Sequence, residues 1–443
     1  MKEEKILKIL CERGHEAYIV GGFVRDIFIE YPSFDIDIVT SASVDEIEDI
    51  FTKLNFKVDI VGKSFKVIIV DGIEVAEFRH DLYDENGNVS MKSAKTLIDD
   101  LSRRDLTINS IAICPNGKIF DPFNGLKDIE EKIIRFVGDP YKRIKEDPLR
   151  IIRACRFKAL IDGRFEENSK RAIKENIYLL QNIPKERFRI EIMKAMKIKK
   201  ASMFFRTLIE INTLFYIFPS IQSCFEFRYH HGEYHEESIF DHIMMVGDFI
   251  STKFPLLKLS GYLHDIGKIF SYEISEDGKI TFKTHEKIGS KIIRKELRDL
   301  KFSNEEVDYI SNIIRIHMRR PTSSRAIRKI LINLNEMGID YRDFIRIFYS
   351  DMKGKTRRTI KIFSLKDVFK RIKEEDEKEP VKKYGDLPIN GHNIMEYFNI
   401  KEGPLIGEIL DIAMEIILDY PELKDDKEKL LRLIKEKLRE EEK

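Results

Sequence analysis

Three groups of residues have the types and spacing to do chemistry. The first lies in Tyr18–Thr40, YIVGGFVRDIFIEYPSFDIDIVT, which reads as a strand, a two-glycine turn, a short helix and a second strand. On that second strand Asp35 and Asp37 are two apart, so they project to one side while Ile36 and Ile38 face inward. Two hard carboxylates side by side can hold one or two Mg²⁺ ions against a triphosphate. Gly21 and Gly22 let the backbone approach a phosphate at the start of the helix. A βαβ turn followed by solvated aspartates is the plainer reading of each feature alone.

The second group is in KEDPLRIIRACRFKA, Lys145–Ala159. Pro148 suits a first helical turn, and Asp147 and Arg150, three apart, are expected to share a face. A carboxylate only accepts hydrogen bonds and a guanidinium only donates them. Asp147 can therefore accept the amino group common to C and A, and Arg150 can donate to the ring nitrogen beside it. G and U present the wrong pattern. Arg153 and Arg156 continue the face; a solvated basic stripe is the alternative. The third group is spread over a hundred residues: His242, His264, Asp265, His285, His317 and Asp351. Imidazoles and carboxylates suit Mn, Fe, Ni, Co or Zn, with Mg at the carboxylate-rich end, but only folding can assemble them.

The elements that must position these groups divide the 443 residues into a mixed head and a long helical remainder. Periodicity predicts helices over Lys2–Arg13 and Val44–Leu54, and strands over Tyr18–Val20, Ile36–Thr40, Val58–Val61, Phe65–Val70 and Ile73–Phe78, with a turn at Asp71–Gly72. Glu77 is a candidate third carboxylate, although a strand residue paired with Arg79 is the simpler reading. Leu82–Lys95 reads as a surface loop. The boundaries expected are a head over 1–138, a neck over 139–200, a body over 201–360 and a tail over 361–443, all helical after the head. The fold class is α+β.

Net charge is only +1, yet residues 142–200 hold 18 Lys/Arg against 8 Asp/Glu, a local +10 that leaves −9 for the rest. Such asymmetry points to an anionic partner. A second basic tract, Arg319, Arg320, Arg325, Arg328 and Lys329, with Lys353, Lys355, Arg357 and Arg358 beyond it, either follows RNA phosphates or is solvated. His230, His231 and His235 either line a site mouth or form an ordinary loop cluster. Cys11, Cys114, Cys155 and Cys224 match no zinc spacing and read as reduced. The charged start MKEEKILKIL is no signal peptide, and no apolar run reaches membrane-spanning length, which suits the cytoplasm.

GGxVRD, eight residues and then DxD resembles the first signature of the nucleotidyltransferase superfamily that includes bacterial class II tRNA CCA-adding enzymes and bacterial poly(A) polymerases. LSRRDLT, DPFNGLKDIEEKIIRFVGDP, EDxxR with RAxRF, KERFRIEIMK and the tail LPINGHNIMEYFNIKEGPLIG continue the resemblance from about Glu16 to about Lys437. It implies two Mg²⁺ ions at Asp35 and Asp37, and a triphosphate site shaped by Gly21, Gly22, Arg25 and Asp26. Arg104 would lie near phosphate or ribose, with Asp105 on the sugar hydroxyls. Asp147 and Arg150 would select the base, and Arg153 and Arg156 would face the triphosphate. The implied substrates are CTP, ATP and the tRNA acceptor end, and the implied reaction is template-independent addition of C and A. Addition of CC or A only, poly(A) synthesis, and a non-catalytic RNA-binding role are the alternatives. A flexible loop at Leu82–Lys95 assists the change of base in that family; here it lacks an Arg-His-Pro run. The H…HD…H…H…D order resembles the HD superfamily of metal-dependent phosphohydrolases, which implies a divalent transition metal, either in a live centre or in an inherited remnant.

Overall fold

The computed structural model describes residues 2–32, 35–62, 66–83, 89–227, 237–277, 279–355 and 365–441. The chain forms two compact units, Met1–Ile217 and Phe218–Lys443. Among the described residues no helix is long and apolar enough to cross a membrane.

The first unit opens with helices α1 (Lys2–Glu12), α2 (Gly22–Phe28) and α3 (Val44–Lys53) interleaved with strands β1 (Ala17–Val20), β2 (Asp37–Thr40), β3 (Val58–Gly62), β4 (Val67–Val70) and β5 (Ile73–Glu77). With β8 (Ala112–Ile113) and β9 (Ile119–Phe120), the strands form one mixed sheet in the order β3-β4-β5-β2-β1-β8-β9. Strand alternation explains its two faces. Ile38, Ile68 and Val75 pack with Ile6, Leu10, Ile47 and Phe51 of α1 and α3 on one side. Val20, Val39 and Ala76 pack with Leu97 and Leu101 of α4 (Leu97–Ser102) on the other. Ser43 caps α3 in a reciprocal capping box with Glu46. Asp71 and Gly72, at φ 50° and 88°, make the expected tight turn between β4 and β5.

Leu82–Lys95 departs from the loop expected there. β6 (Arg79–Tyr83) pairs antiparallel with β7 (Val89–Ser93), Arg79 opposite Ser93 and Tyr83 opposite Val89. Asn86-Gly87 between two short β-prone runs is the hairpin signal that the polar composition obscured; residues 84–88 lie outside those described.

The unit continues through α5 (Gly125–Glu130), α6 (Pro140–Glu146), α7 (Leu149–Ile161), α8 (Glu167–Asn176), α9 (Lys185–Ala195) and α10 (Ser202–Glu210). A short parallel ladder of β10 (Ile133–Ile134) and β11 (Arg164–Phe165) ties the end of the head to the residues after α7, so the neck is helical except at this pair.

In the second unit α11 (Pro219–Glu226), α12 (Ile239–Phe249) and α13 (Pro255–Leu263) precede the hairpin of β12 (Tyr272–Ile274) and β13 (Ile280–Phe282), an interruption of the all-helical body expected. Then come α14 (His285–Asp299), α15 (Asn304–Ile316), α16 (Ser324–Glu336), α17 (Tyr341–Lys353), α18 (Leu365–Glu377), α19 (Gly391–Phe398), α20 (Pro404–Asp419) and α21 (Lys427–Glu441). One core gathers Val246, Leu257, Ile313, Ile330 and Phe344; another gathers Ile394, Ile409, Ile417, Leu430 and Ile434. Much of the second basic tract is spent inside this unit. Buried Arg328 donates to the Leu418 carbonyl at 3.0 and 2.6 Å and to Glu375 at 2.8 Å, joining α16 to α18 and α20. Arg325 and Lys329 pair with Glu415. Arg357, Arg358, His230, His231 and His235 lie outside the described residues.

Candidate functional site

In the first unit a cavity of about 710 Å³ collects every residue expected at a nucleotide site: Gly21, Gly22, Arg25, Asp26, Asp35, Asp37, Arg104, Asp105, Asp147, Arg150, Arg153 and Arg156. Gly21 shows why a glycine stands there. Its φ is 80°, and a Cβ would come within 3.1 Å of an Asp37 carboxylate oxygen and 3.2 Å of the Arg104 guanidinium.

Asp37 is the first residue of β2, and Asp35 lies just ahead of the strand. The third carboxylate is not Glu77. That side chain is buried and held by Lys66 at 3.2 Å. β2 and β5 are parallel and place Glu74 directly opposite Asp37, and Glu74 lines the cavity. Glu74 and Glu77 are three apart, so they point to opposite faces. Burial first, then the neighbouring Glu74 and Asp35, push the Asp37 carboxyl up to about 6 against the pull of Arg104. Crowded carboxylates that resist joint ionisation are relieved by a divalent cation, and this all-oxygen donor set fits Mg²⁺.

The same cavity is lined by guanidinium groups. Arg25 is buried, donating to Asp26 at 2.5 and 2.9 Å and to Asn109 at 2.6 Å. Arg104 donates to fully buried Asp100 at 3.0 Å. Arg153 donates to Asp105 at 2.7 Å, and Arg156 donates to Glu191 at 2.6 Å. Although Asp105 is buried, which would raise it, Arg153, Asn109 and the Leu106 amide hold its carboxyl well below the usual range. The Phe157 ring packs against two of these guanidinium groups, 4.7 Å from the Arg25 guanidinium carbon and 4.1 Å from that of Arg156. An aromatic face between two like charges offsets part of their repulsion.

Asp147 and Arg150 both reach the cavity, but not as two residues of one helix face. Asp147 is the extended C-cap of α6, ahead of α7. Arg187 clamps its two oxygens at 3.0 and 2.8 Å. Arg150 is buried, donating to Glu146 at 2.7 Å and to the carbonyls of Arg143 and Arg103 at 3.0 and 3.1 Å. Sequence reasoning did not single out Glu74, Glu146, Phe157, Arg187 or Glu191. Parallel register could have indicated Glu74; Glu146 and Phe157 are near Arg150 and Arg156 in sequence, and only Arg187 and Glu191 are brought in by a remote helix.

The second unit assembles the dispersed histidines and aspartates. The Nε2 atom of His242 lies 3.2 Å from Asp351 and 3.6 Å from Asp265, and that of His264 lies 3.3 Å from Asp265. His285 and His317 present Nε2 to the other Asp265 oxygen at 3.2 and 3.4 Å. Each Nδ1 faces a backbone carbonyl: His242 to Gly354 at 3.3 Å, His264 to Gly261 at 2.9 Å, His285 to Phe282 at 2.8 Å and His317 to Ile314 at 2.6 Å. A proton on Nδ1 leaves an Nε2 lone pair for a metal, and the carbonyls fix each ring. His242, His264 and Asp265 form one group able to hold an ion; Asp265, His285 and His317 form another. Burial alone would lower His264, but Asp265 and Asp351 raise it to about 9, whereas burial, with His264 and His285 nearby, lowers His317 against the pull of Asp265. Mixed imidazole and carboxylate donors fit a divalent transition metal.

The family model described as Poly A polymerase head domain matches residues 17–135, that of a probable RNA and SrmB-binding site of polymerase A matches 164–225, and that of tRNA nucleotidyltransferase domain 2 matches 275–434. The CCA-adding enzyme of Ligilactobacillus salivarius is 30% identical over 442 residues, 98% of this chain and 96% of the relative. That of Geobacillus sp. is 29% identical, over 96% of this chain and 94% of the relative. The solved structure of the Bacillus stearothermophilus CCA-adding enzyme in complex with CTP has the same fold, with a TM-score of 0.72, 24% identity and coverage of 99% and 98% of the two chains. With nearly its whole length aligned to these relatives, the chain belongs to the CCA-adding enzyme family of tRNA nucleotidyltransferases.

Proposed function

We propose that this chain adds C and A to the 3′ end of tRNA without a nucleic-acid template, drawing on CTP and ATP in the cytoplasm. The observation that carries this reading is a single cavity lined by the paired carboxylates, by Arg25, Arg104, Arg153 and Arg156, and by Asp147 and Arg150. Asp35 and Asp37, with Glu74 beside them, would hold Mg²⁺, which when bound neutralises phosphate charge and eases ionisation of the RNA 3′-hydroxyl. Arg25, Arg104, Arg153 and Arg156 take the triphosphate. Asp105 accepts from the ribose hydroxyls and so favours ribonucleotides. Asp147 accepts the amino group shared by C and A, and its clamp on Arg187 fixes the direction it presents. Arg150, locked by Glu146 and two carbonyls, supplies the matching donor. Incubating the protein with tRNAs ending before, within and after CCA, with one nucleoside triphosphate at a time, tests this. Ordered addition of C, C and A is expected; one base alone at every stage would favour a CC-only or A-only enzyme, and unlimited A would favour a poly(A) polymerase.

The second unit supports a second activity. Its four Nε2 atoms and two carboxylates suit a divalent transition metal, held by His242, His264 and Asp265, with His285, His317 and Asp351 completing the set. An ion held there would supply an acidified water as nucleophile toward a phosphoester. Terminal 2′,3′-cyclic or 3′-phosphates on RNA are the substrates whose removal would expose a hydroxyl for the first unit. Supplying blocked tRNA with Mg²⁺, Mn²⁺, Ni²⁺ or Co²⁺ tests this; hydrolysis lost in Asp265→Ala is expected, and none with any ion refutes it.

A further inference from the structure

Between Arg25 on α2 and Asp105 stands Asn109, buried and lining the same cavity. Its side-chain oxygen accepts from Arg25 Nη1 at 2.6 Å, and its side-chain nitrogen donates to Asp105 Oδ1 at 2.9 Å. A guanidinium only donates and an ionised carboxylate only accepts, so one orientation of the amide satisfies both neighbours. A carboxylate in its place would have no donor for Asp105, and an alkyl group would serve neither partner.

The local sequence holds this amide still. Thr107–Asn109 is a single tight helical turn just after Asp105. The Thr107 hydroxyl donates to buried Asp128 at 2.6 Å, and the Thr107 amide donates to the Arg135 carbonyl at 3.0 Å. The Ser110 hydroxyl donates to the Leu106 carbonyl at 3.0 Å. Asn109 is thus fixed from both sides, as a group that orients its neighbours must be.

The two oxygens of Asp105 are held differently. Oδ1 accepts from Asn109 and, at 2.8 Å, from the Leu106 amide, and both donors belong to buried residues. Oδ2 accepts from Arg153 at 2.7 Å, and the Arg153 side chain is 30% exposed. A carboxylate has about four acceptor positions. Fixed donors fill Oδ1, so a sugar hydroxyl enters at Oδ2 as Arg153 turns to phosphate.

We propose that Asn109 is a positioning residue for the choice of sugar. It pins Asp105 Oδ1, leaves Oδ2 for the ribose 2′-hydroxyl, and ties that carboxylate to the Arg25 guanidinium that takes the triphosphate. This rests on the proposed reading of Asp105 as the acceptor for ribose hydroxyls.

Two ratios separate the two bonds of the amide. The ratio of kcat/KM for CTP over dCTP, on a tRNA that ends before CCA, reads the sugar. The ratio of binding affinities for CTP over CMP reads the triphosphate. Asn109→Asp, assayed at mildly alkaline pH where the new carboxyl is ionised, keeps an acceptor for Arg25 and loses the donor to Asp105. It should lower the CTP/dCTP ratio about tenfold, the scale of one hydrogen bond to a charged group, and leave the CTP/CMP ratio within about twofold. Asn109→Ala loses both bonds and should lower both ratios; it carries the test if the melting temperature shows that Asn109→Asp does not fold. An unchanged CTP/dCTP ratio in either folded variant overturns the role. A parallel fall of both ratios in Asn109→Asp also overturns it, by marking a disturbed pocket. Asp105→Ala tests the underlying reading separately. If that variant keeps the CTP/dCTP ratio, the ribose assignment of Asp105 fails and the role of Asn109 with it. If it loses the ratio while Asn109→Asp keeps it, Asp105 chooses the sugar without Asn109.

Discussion

At the scale of single residues, the groups that line the cavity of the first unit differ in how deeply they are held. Asp37 borders the cavity, and burial with Glu74 alongside pushes it up to about 6, so its replacement relieves crowding and opens no gap in the core. Asp37→Ala should abolish nucleotide incorporation, with tRNA binding and melting temperature little changed; filter binding and calorimetry beside the incorporation assay check this. Normal incorporation would remove the carboxylate from the reaction. Arg150 is different because it is buried and bonded to Glu146 and two carbonyls. Arg150→Ala should relax discrimination against UTP and GTP by about 1–3 kcal/mol, the usual cost of an unmatched polar group. Faithful choice of C and A combined with weakened tRNA binding would make it an RNA contact.

At the scale of elements, the strands and the DxD motif were legible because strand alternation and glycine turns act locally. The β6–β7 hairpin was missed because its strands are polar, and Glu74 because parallel register joins residues far apart in sequence. Asp147 was placed on a helix that in fact starts after it, since an acidic residue before proline suits either the end of one helix or the start of the next. The histidine order was legible; three of the carbonyls that orient the rings, Gly261, Phe282 and Ile314, lie only three residues before their histidine, whereas Gly354 is remote from His242 in sequence.

One element contact gives the second unit a pH dependence. Glu296 on α14 accepts from the backbone amide and hydroxyl of Ser220 at 2.9 and 2.7 Å, holding the start of α11. Burial raises it from 4.5 to about 7, opposed by the Ser220 bonds and assisted by Asp299. The folded state thus binds this proton more tightly than the unfolded chain. The resulting stability is fully present below 4.5 and is lost as pH rises through about 7. The loss is on the order of 2 kcal/mol for a partly exposed group. Glu296→Gln should flatten melting temperature between those limits; an unchanged slope would contradict this origin.

At the scale of the molecule, two centres with different donor sets occupy two compact units. Carboxylates in the first suit Mg²⁺, and histidines in the second suit a transition metal. The Asp265→Ala variant should therefore extend a free 3′-hydroxyl at the wild-type rate. The most direct test of the central claim is single-nucleotide incorporation on a tRNA that ends before CCA, comparing wild type with Arg150→Ala. The wild type is expected to add two C residues from CTP and then one A from ATP and to stop, rejecting UTP and GTP, while the variant accepts them. Incorporation of UTP or GTP by the wild type, or unaltered selectivity in the variant, would contradict that claim.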